Sequence, residues 1–301
     1  MAINAIKDTS AVNKEGFNHL VKKHPCFSGE AHFKYGRIHL PVSPNCNIQC
    51  KFCKRSINKT ENRPGVASKV LRPEEALDKV EKALVLCPDI TVVGIAGPGD
   101  TLATQSALDT FQLVDERYPQ LLKCLSTNGL LLHEYAERIV QVGIKTISVT
   151  VNAVDADILK DICSGIFYKG QYIEGREGAE ILIRKQLEGI RKISLLGVTV
   201  KVNTVLIPAL NYHHIGEIAR TTAEAGASMM NIIPLIPQNE MINYSAPDCN
   251  ELNNARISAE KYLKVFRHCQ QCRADACGIP GKGKDLAGLL YEEPLNTFSH
   301  G

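Results

Sequence analysis

The sequence predicts an α/β fold built on parallel strands: a partial (βα)6 barrel of the TIM type with an extension at each end. Between residues 36 and 267, short β-branched apolar runs alternate with segments whose apolar residues recur every three or four positions, the pattern of repeated βα units. The 301 residues are 44% hydrophobic and 22% charged, as in a soluble globular chain with a large core. Length alone allows two domains, but single α/β barrels often exceed about 200 residues, so one barrel suffices.

Six strands and six helices follow from this alternation. The predicted strands are residues 37–42, 91–96, 121–126, 146–151, 198–206 and 229–235. The predicted helices are residues 73–86, 105–118, 133–142, 179–196, 213–225 and 254–266, the first opened by Pro73. Residues 1–35 and 268–301 lack the alternation but contain Cys or His. We therefore predict an N-terminal extension, a barrel over residues 36–267, and a C-terminal motif with a flexible tail.

The charge balance gives no sign of a nucleic-acid partner. There are 35 Lys and Arg against 32 Asp and Glu, a net charge of +3, and no basic run is long enough for a nucleic-acid surface. The first residues lack the apolar core and cleavage site of a signal peptide, and the composition is not that of a membrane protein. We expect a cytoplasmic protein that binds neither nucleic acid nor membrane.

Eleven cysteines are the unusual feature of the composition. They are too sparse for a disulfide scaffold, and an unexported protein keeps its thiols reduced, so clustered cysteines are better explained as ligands. The two clusters are Cys46, Cys50 and Cys53, and Cys269, Cys272 and Cys277. Inert or buried thiols are expected outside the motifs, at Cys87 closing a helix, at Cys163 in a region expected to be loop, and at Cys249.

Three closely spaced cysteines can bind three irons of a 4Fe-4S cube and leave the fourth iron open. The loop of Cys46, Cys50 and Cys53 follows the first predicted strand, at the edge of the barrel where such folds carry their active sites. Zinc is the main alternative, but closed structural zinc sites take four protein ligands, and this loop has no fourth cysteine. The spacing favours an iron–sulfur cluster.

With Phe52 before its last cysteine, the loop resembles the C-x3-C-x-aromatic-C signature of the radical S-adenosylmethionine (SAM) superfamily. The resemblance implies a radical SAM barrel in which the open iron chelates the amino and carboxylate groups of SAM. Reductive cleavage of the sulfonium bond would then give a 5′-deoxyadenosyl radical. Phe52 would lie against the adenine.

Residues at the ends of three later strands suit a SAM site. The string A-G-P-G-D at residues 96–100 lets backbone amides approach a ligand and offers an Asp that can pair with an ammonium group. It lacks the order of a dinucleotide fingerprint. Each rim residue also has an interpretation as a turn or capping residue. The candidate SAM-binding residues are Phe52, Ala96, Gly97, Gly99, Asp100, Thr127, Asn128, Thr150 and Asn152.

Two more strings offer metal ligands. Cys269 and Cys272 have a ligand spacing, and their place after the last predicted helix disfavours a thioredoxin-like redox pair. Near the N-terminus, His24 and Cys26 of H-P-C offer an imidazole and a thiolate. Alone, H-P-C would be a turn with a small buried cysteine.

Taken in order, these strings resemble the NifB family of nitrogenase cofactor-assembly proteins. The strings are H-P-C at 24–26, the three-cysteine loop, E-x-R-P at 61–64, A-G-P-G-D at 96–100, T-N-G at 127–129 with Cys124 upstream, T-V-N at 150–152, and C-x2-C-R-x-D-A-x-G at 269–278. The resemblance covers nearly the whole chain and is more specific than the radical SAM signature alone.

What this resemblance implies is cofactor synthesis. Two auxiliary 4Fe-4S clusters would be fused into an eight-iron precursor of the iron–molybdenum cofactor, with a carbide at its centre and one additional sulfur. One SAM would give a methyl group to a cluster sulfide, and a second would be cleaved to a radical that removes a methyl hydrogen. The implied partners are iron–sulfur cluster donors, an electron donor, and carrier or scaffold proteins.

The family's ligands carry over by position. Cys46, Cys50 and Cys53 would hold the radical SAM cluster, Cys26 and Cys124 the first auxiliary cluster with either His39 or His24, and Cys269 and Cys272 the second. Glu61 is the candidate for an additional carboxylate ligand. Arg63 and Arg273 would offset the negative charge of the clusters and stabilise their thiolates, unless they are ordinary ion-paired arginines. Sparse ligation suits a cluster that must fuse and leave, because His and carboxylate ligands exchange at iron.

Two features depart from the family pattern. Cys277 occupies an unspecified position of the last string, and the carrier-like C-terminal domain of some relatives is absent, so we expect a short stand-alone form. Two other functions stay open. One is a different radical SAM enzyme with an auxiliary cluster, acting on a small molecule or peptide. The other is a non-catalytic iron–sulfur scaffold or electron carrier, for which the polar rim would have no use.

Overall fold

The computed structural model of the chain describes residues 22–282 and 285–291. Its strands are β1 (Gly36–His39), β2 (Ile48–Cys50), β3 (Ser56–Ile57), β4 (Val66–Ala67), β5 (Ile90–Ile95), β6 (Leu122–Thr127), β7 (Thr146–Thr150), β8 (Cys163–Tyr168), β9 (Gln171–Glu174), β10 (Thr199–Leu206), β11 (Met229–Pro234), β12 (Lys264–Val265) and β13 (Cys277–Gly278). Its α-helices are α1 (Gly29–His32), α2 (Pro73–Leu86), α3 (Ser106–Arg117), α4 (Leu132–Gln141), α5 (Ala156–Ile162), α6 (Gly175–Leu195), α7 (Pro208–Asn211), α8 (Ile215–Glu224), α9 (Cys249–Glu260) and α10 (Ala287–Leu290). Most of the predicted N-terminal extension, residues 1–21, and residues 283–284 and 292–301 of the predicted flexible tail lie outside the described residues.

Eight strands form the main sheet, in the order β12-β11-β10-β7-β6-β5-β1-β13. Neighbouring strands are parallel except β1 and β13, which are antiparallel. The six predicted strands are β1, β5, β6, β7, β10 and β11, so the predicted α/β fold is confirmed. Parallel neighbours need crossover connections, and α2, α3, α4, α6 and α8 lie in these crossovers.

The main core lies between the sheet and the crossover helices. Val80 on α2, Phe111 on α3, Ile139 on α4, Ile190 on α6 and Ile218 on α8 are fully buried in one hydrophobic cluster. Burial of side chains of this kind stabilises a fold by about 1.5–3 kcal/mol each. The sheet and its helices therefore form a stable scaffold for the loops at the sheet edge. Within residues 22–282 and 285–291, no helix is both long enough and apolar enough to cross a membrane.

The last predicted helix is misplaced. The sequence predicts it over residues 254–266, whereas α9 begins at Cys249 and ends at Glu260. A capping box begins it early: Glu251 N donates to Asp248 Oδ1 at 2.7 Å, and Asp248 N donates to Glu251 Oε2 at 2.8 Å. Lys264–Val265 instead forms β12, beside β11.

A second sheet, β2-β8-β9, lies in a region where the sequence predicts loop. β8 and β9 are joined by Lys169 and Gly170, whose φ angles of 50° and 80° are both positive, as in a type I′ hairpin turn. β2 pairs with β8 and places Cys50 opposite Cys163. The hairpin therefore supports the backbone of the three-cysteine loop.

Candidate functional site

The six main strands line a cavity of ≈ 320 Å³. Alternate side chains of a strand point to the same face, and one such set reaches the cavity. The lining strand residues include Arg37, His39, Gly94, Cys124, Ser126, Ser148, Thr150, Lys201, Asn203 and Asn231. Cations, an imidazole, a thiol, hydroxyls and amides share this wall with apolar residues such as Val92, Val205 and Ile233, so the wall offers polar and charged groups within a largely apolar surface.

Four segments of the chain bring cysteines to this cavity. The cysteines in its wall are Cys26, Cys53, Cys124, Cys269 and Cys272. Cys46 and Cys50 belong to the same loop as Cys53 but do not line the cavity. Five of the seven predicted ligand cysteines are therefore gathered around one space by the fold.

A hydrogen bond within the three-cysteine loop and a contact from the Asn128 side chain hold the loop. Cys53 N donates to Cys50 O at 3.0 Å, and Asn128 Nδ2 lies 3.8 Å from Cys46 Sγ. Burial raises the pKa of Cys46 to about 11. Burial also raises the pKa of Cys53, and the positive charges of Arg55 and Arg63 oppose that rise. These thiols are neutral at pH 7, and binding of iron would displace their protons.

The A-G-P-G-D loop supports the cysteine loop. A Cβ added to Gly99 would lie 2.0 Å from Asn45 O, so only glycine lets the two backbones approach, and Asp100 N donates to Asn45 O at 2.7 Å. Gly97 has a φ of 129°, which glycine adopts without strain. Of the predicted SAM residues in this string, Ala96 lines the cavity, whereas Gly97, Gly99 and Asp100 do not.

The Asp100 carboxylate is buried and occupied by internal donors. Leu102 N donates to its Oδ1 at 2.9 Å, Thr127 Oγ1 lies 3.0 Å from both oxygens, and Asn128 N donates to Oδ2. Burial raises the pKa of Asp100, and the backbone donors Asn128 and Leu102 oppose that rise. The carboxylate thus ties the second rim loop to the third, and both of its oxygens already accept hydrogen bonds from these loops.

The other rim residues have mixed surroundings. Thr150 and Phe52 line the cavity. Asn152 Oδ1 accepts a hydrogen bond from Val205 N at 2.9 Å, which is a structural contact. Gln186, which the sequence analysis missed, donates from α6 to Asn128 O at 2.7 Å and to Thr150 O at 2.9 Å, so one amide side chain links two rim loops.

His39, Gly94 and Cys124 are aligned across three strands. His39 pairs with Gly94, and Gly94 with Cys124, in the parallel register of β1, β5 and β6. A Cβ on Gly94 would lie 2.9 Å from His39 Cδ2. The glycine between them leaves the imidazole and the thiol facing one space.

The two candidate histidines carry their proton on different nitrogens. His24 Nδ1 accepts from Cys26 N at 3.1 Å, so the neutral ring is protonated on Nε2, which is buried without a partner among the described residues. His39 Nδ1 lies 3.2 Å from Arg273 O, and a carbonyl only accepts, so its Nε2 has the free lone pair. Burial lowers the pKa of His39 to about 4 and that of His24 well below its ordinary value, so both rings are neutral.

The C-terminal motif is joined to β1. Arg37 Nη2 lies 3.1 Å from Cys272 Sγ, and Nη1 donates to Gly278 O at 2.7 Å. Cys277 is fully buried in the main core, where burial raises its pKa to about 12. Since Cys277 does not line the cavity, the structure gives it no place in a ligand set there.

Glu61 and Arg63 form an ion pair outside the cavity wall. Arg63 Nε donates to Glu61 Oε2 at 2.7 Å, Asn58 Nδ2 donates to Glu61 Oε1 at 2.7 Å, and these hydrogen bonds lower the pKa of Glu61. Arg63 also donates to Lys54 O just after the cysteine loop. Arg273 pairs with Asp275 at 2.8 Å. Both arginines brace loops.

Among residues 22–282 and 285–291, no three His, Cys, Asp or Glu side chains are grouped closely enough to hold a single metal ion. A tetrahedral zinc ion needs its ligands about 2.0–2.3 Å from one point. An iron–sulfur cube is bound through separate irons, so its ligands stand apart around a cavity. Thiols from four segments and the free Nε2 of His39 fit that requirement.

Known proteins share both the sequence and the fold. The Radical SAM superfamily matches residues 40–222. The FeMo cofactor biosynthesis protein NifB of Methanocaldococcus infernus is 49% identical over 92% of this chain and 92% of that protein. The protein of the same name from Klebsiella pneumoniae is 41% identical over 87% of this chain and 58% of that protein.

Two solved structures show the fold alone. SuiB of Streptococcus suis, bound to SAM, aligns with 89% of this chain and 58% of its own at a TM-score of 0.58 and 13% identity. A radical SAM methyltransferase from Sphaerobacter thermophilus aligns with 76% of this chain and 65% of its own at a TM-score of 0.57 and 15% identity. With a parallel α/β sheet, a radical SAM match over more than half its length and close relatives over nearly all of it, the chain belongs to the NifB family of radical SAM enzymes.

Proposed function

We propose that this chain builds the eight-iron, carbide-containing precursor of the nitrogenase iron–molybdenum cofactor by fusing two auxiliary 4Fe-4S clusters. One observation carries the proposal: a single cavity is lined by the end of the radical SAM cysteine loop and by thiols from three other segments. A radical SAM enzyme without auxiliary clusters would not need those thiols. The relatives named for FeMo cofactor biosynthesis support the same assignment.

The radical SAM part uses the three-cysteine loop. Cys46, Cys50 and Cys53 would hold the resident 4Fe-4S cluster. With SAM bound, that cluster would supply the electron that cleaves SAM to a 5′-deoxyadenosyl radical, and SAM itself would be the methyl donor. Phe52, Ala96 and Thr150 would contact SAM, since they reach the cavity. We assign Gly97, Gly99, Asp100, Thr127, Asn128 and Asn152 to shaping the rim loops, because their polar groups and close backbone contacts are used there.

The first auxiliary cluster is a substrate, held by Cys26, Cys124 and His39. His39 is preferred to His24 because only an unprotonated ring nitrogen binds a metal, and ligating histidines donate their other N–H to a carbonyl or carboxylate. His39 donates to Arg273 O in this manner. Two thiols and an imidazole leave one iron without a protein ligand, which suits a cluster that must fuse and depart.

The second auxiliary cluster is also a substrate, and Cys269 and Cys272 would hold it. Arg37 lies beside the Cys272 thiol. We assign Glu61 and Arg63 to bracing the loop after Cys53, because their charges are paired with each other. Ligation by Glu61 would require that pair to break. An electron donor, cluster donors and a carrier for the product would be the partners.

Anaerobic reconstitution with iron and sulfide, followed by SAM and dithionite, tests the proposal. About twelve irons per chain, with both 5′-deoxyadenosine and S-adenosylhomocysteine formed, are expected. About four to eight irons with 5′-deoxyadenosine alone would favour a different radical SAM enzyme. Absence of SAM cleavage would contradict any enzymatic function. Cys26→Ala and Cys272→Ala should each lower the iron content while SAM binding survives.

A further inference from the structure

Two cations are buried in the cavity wall. Lys201 and Arg37 are each 5% exposed, and both line the cavity. Throughout the described part of the chain, neither forms an ion pair with a carboxylate. A buried charge without a counter-charge is costly. A wall with two such cations is therefore built for a negatively charged or electron-rich occupant.

The positive charge of Lys201 is less well balanced by its neighbours than that of Arg37. Arg37 has the Cys272 sulfur at 3.1 Å, whereas the contacts of Lys201 are neutral. Its Nζ donates to Cys26 O at 2.9 Å and lies 4.6 Å from the centre of the Phe27 ring and 5.5 Å from that of Phe266. These groups hold the ammonium in place and engage one of its three protons, and none of them neutralises its charge.

The ammonium lies in the same cavity wall as the two thiols proposed for the first auxiliary cluster. Lys201, Cys26 and Cys124 all line the cavity. Lys201 Nζ also anchors the Cys26 backbone through its oxygen at 2.9 Å. Lys201 thus brings a positive charge and further N–H donors to the space that those two thiols face.

We propose that Lys201 is a binding residue for the iron–sulfur substrate, its ammonium offsetting the charge of the Cys26 and Cys124 thiolates and donating hydrogen bonds to the sulfur atoms of the cluster they hold. This inference rests on the proposed function, which places that cluster there. A cation next to a cluster also favours the reduced form, which carries one more negative charge. Lys201 therefore raises the reduction potential of this cluster and slows its loss.

The test uses a background in which Cys46, Cys50 and Cys53 are all changed to Ala, so that bound iron reports on the auxiliary clusters. Lys201→Met removes the charge, Lys201→Gln removes it but keeps a donor for Cys26 O, and Lys201→Arg keeps the charge. Lys123→Met is the matched control, because Lys123 is a buried strand lysine paired with Asp115. Reduction potential, the rate of iron loss to a chelator, and the urea midpoint of the stripped protein are measured.

Lys201→Met and Lys201→Gln should each lower the reduction potential of the auxiliary signal and speed its iron loss by about tenfold or more. Lys201→Arg and Lys123→Met should keep the parent values. The stripped Lys201→Met protein should unfold at the same or a higher urea concentration than its parent, since a costly buried charge is gone.

Unchanged potential and iron loss in both neutral variants would overturn the inference. Equal loss in Lys201→Arg would also overturn it, because packing and not charge would then be responsible. If the parent background itself binds no iron, the proposed function fails instead, so the two failures are distinguishable.

Discussion

The two candidate histidine ligands differ in which ring nitrogen carries the proton. This difference decides which ring has a free Nε2 lone pair to bind iron. We expect His39→Ala to lose nitrogen coordination of an auxiliary cluster and to lower the iron content, because the free Nε2 belongs to His39. His24→Asn should keep the cluster, because the Asn oxygen can still accept from Cys26 N as Nδ1 does now. Pulsed electron paramagnetic resonance of the reduced protein measures the nitrogen coupling. A coupling that survives in His39→Ala and disappears in His24→Asn would contradict the assignment.

The sequence did not distinguish Lys123, which forms a structural ion pair, from Lys201, for which we propose a binding role. Lys123 and Lys201 both lie within predicted strands, where a lysine is unusual in a buried parallel sheet. Lys123 points to the helix side and meets Asp115, whereas Lys201 points into the cavity. Which face a strand residue takes depends on its place in the alternation along its own strand, and the sequence pattern did not show which alternating set faces the cavity.

Glycine contacts matter at the scale of single elements, where the rim loops support one another. We expect Gly99→Ala to displace the segment before Cys46, because the added Cβ would lie 2.0 Å from Asn45 O and 2.5 Å from Asn45 C. Radical SAM iron and SAM binding should fall, and the free energy of unfolding should drop by about 1–3 kcal/mol. Iron analysis, calorimetric SAM binding and urea unfolding measure these effects.

Gly288 on α10 provides the matched control for that substitution. A Cβ there would meet no atom within 4 Å, so Gly288→Ala should behave as the parent protein does. The auxiliary iron should be kept in both variants, because Gly99 does not line the cavity. Full radical SAM iron and unchanged SAM affinity in Gly99→Ala would refute this role for the glycine.

Helices and strands with a regular apolar pattern were predicted from the sequence. Elements whose position depends on a turn or a helix cap were missed or misplaced. The six long strands follow from apolar runs between helical segments. The β8–β9 hairpin depends on two consecutive positive φ angles at Lys169 and Gly170, for which the only local indication is a Lys-Gly pair between two β-rich runs. The start of α9 at Cys249 depends on the Asp248 capping box, whose Asp and Glu spacing was readable in the sequence.

At the scale of the whole molecule, the cavity depends on contacts between distant parts of the chain. Ordered strings in the sequence indicated which cysteines are candidate ligands, because the residues of each string are near one another in the chain. Their convergence requires the two-residue strand β13 to pair with β1, Arg37 opposite Gly278, and Arg37 to reach Cys272. A strand this short has no period to detect, so the sequence offers candidate ligands but does not show how the fold brings them together.

The buried thiols also make the stability of the whole stripped protein depend on pH. Burial raises the pKa of Cys26, Cys46, Cys53, Cys87, Cys124 and Cys277 above the ordinary value of 9.0. Above about pH 9 the unfolded chain therefore binds fewer protons than the folded one. The free energy of unfolding must then fall as pH rises, by up to about 1.4 kcal/mol per pH unit for each such thiol. At pH 7 the thiols are protonated in both states, so this loss is absent.

Cys277→Ala isolates one of these thiols, because Cys277 lies in the core and away from the cavity. Its pKa of about 12 predicts that the variant loses stability less steeply than the parent between pH 9 and 10, by the worth of about half a proton at pH 9 and about nine-tenths of a proton at pH 10. Urea unfolding of the metal-free, reduced protein across this range measures the slope. Cys249→Ala, which removes an exposed thiol, should keep the parent slope, and tyrosine and lysine titration cancels between variants. Equal slopes for Cys277→Ala and the parent would mean that the buried thiol ionises as readily in the folded protein as in the unfolded chain.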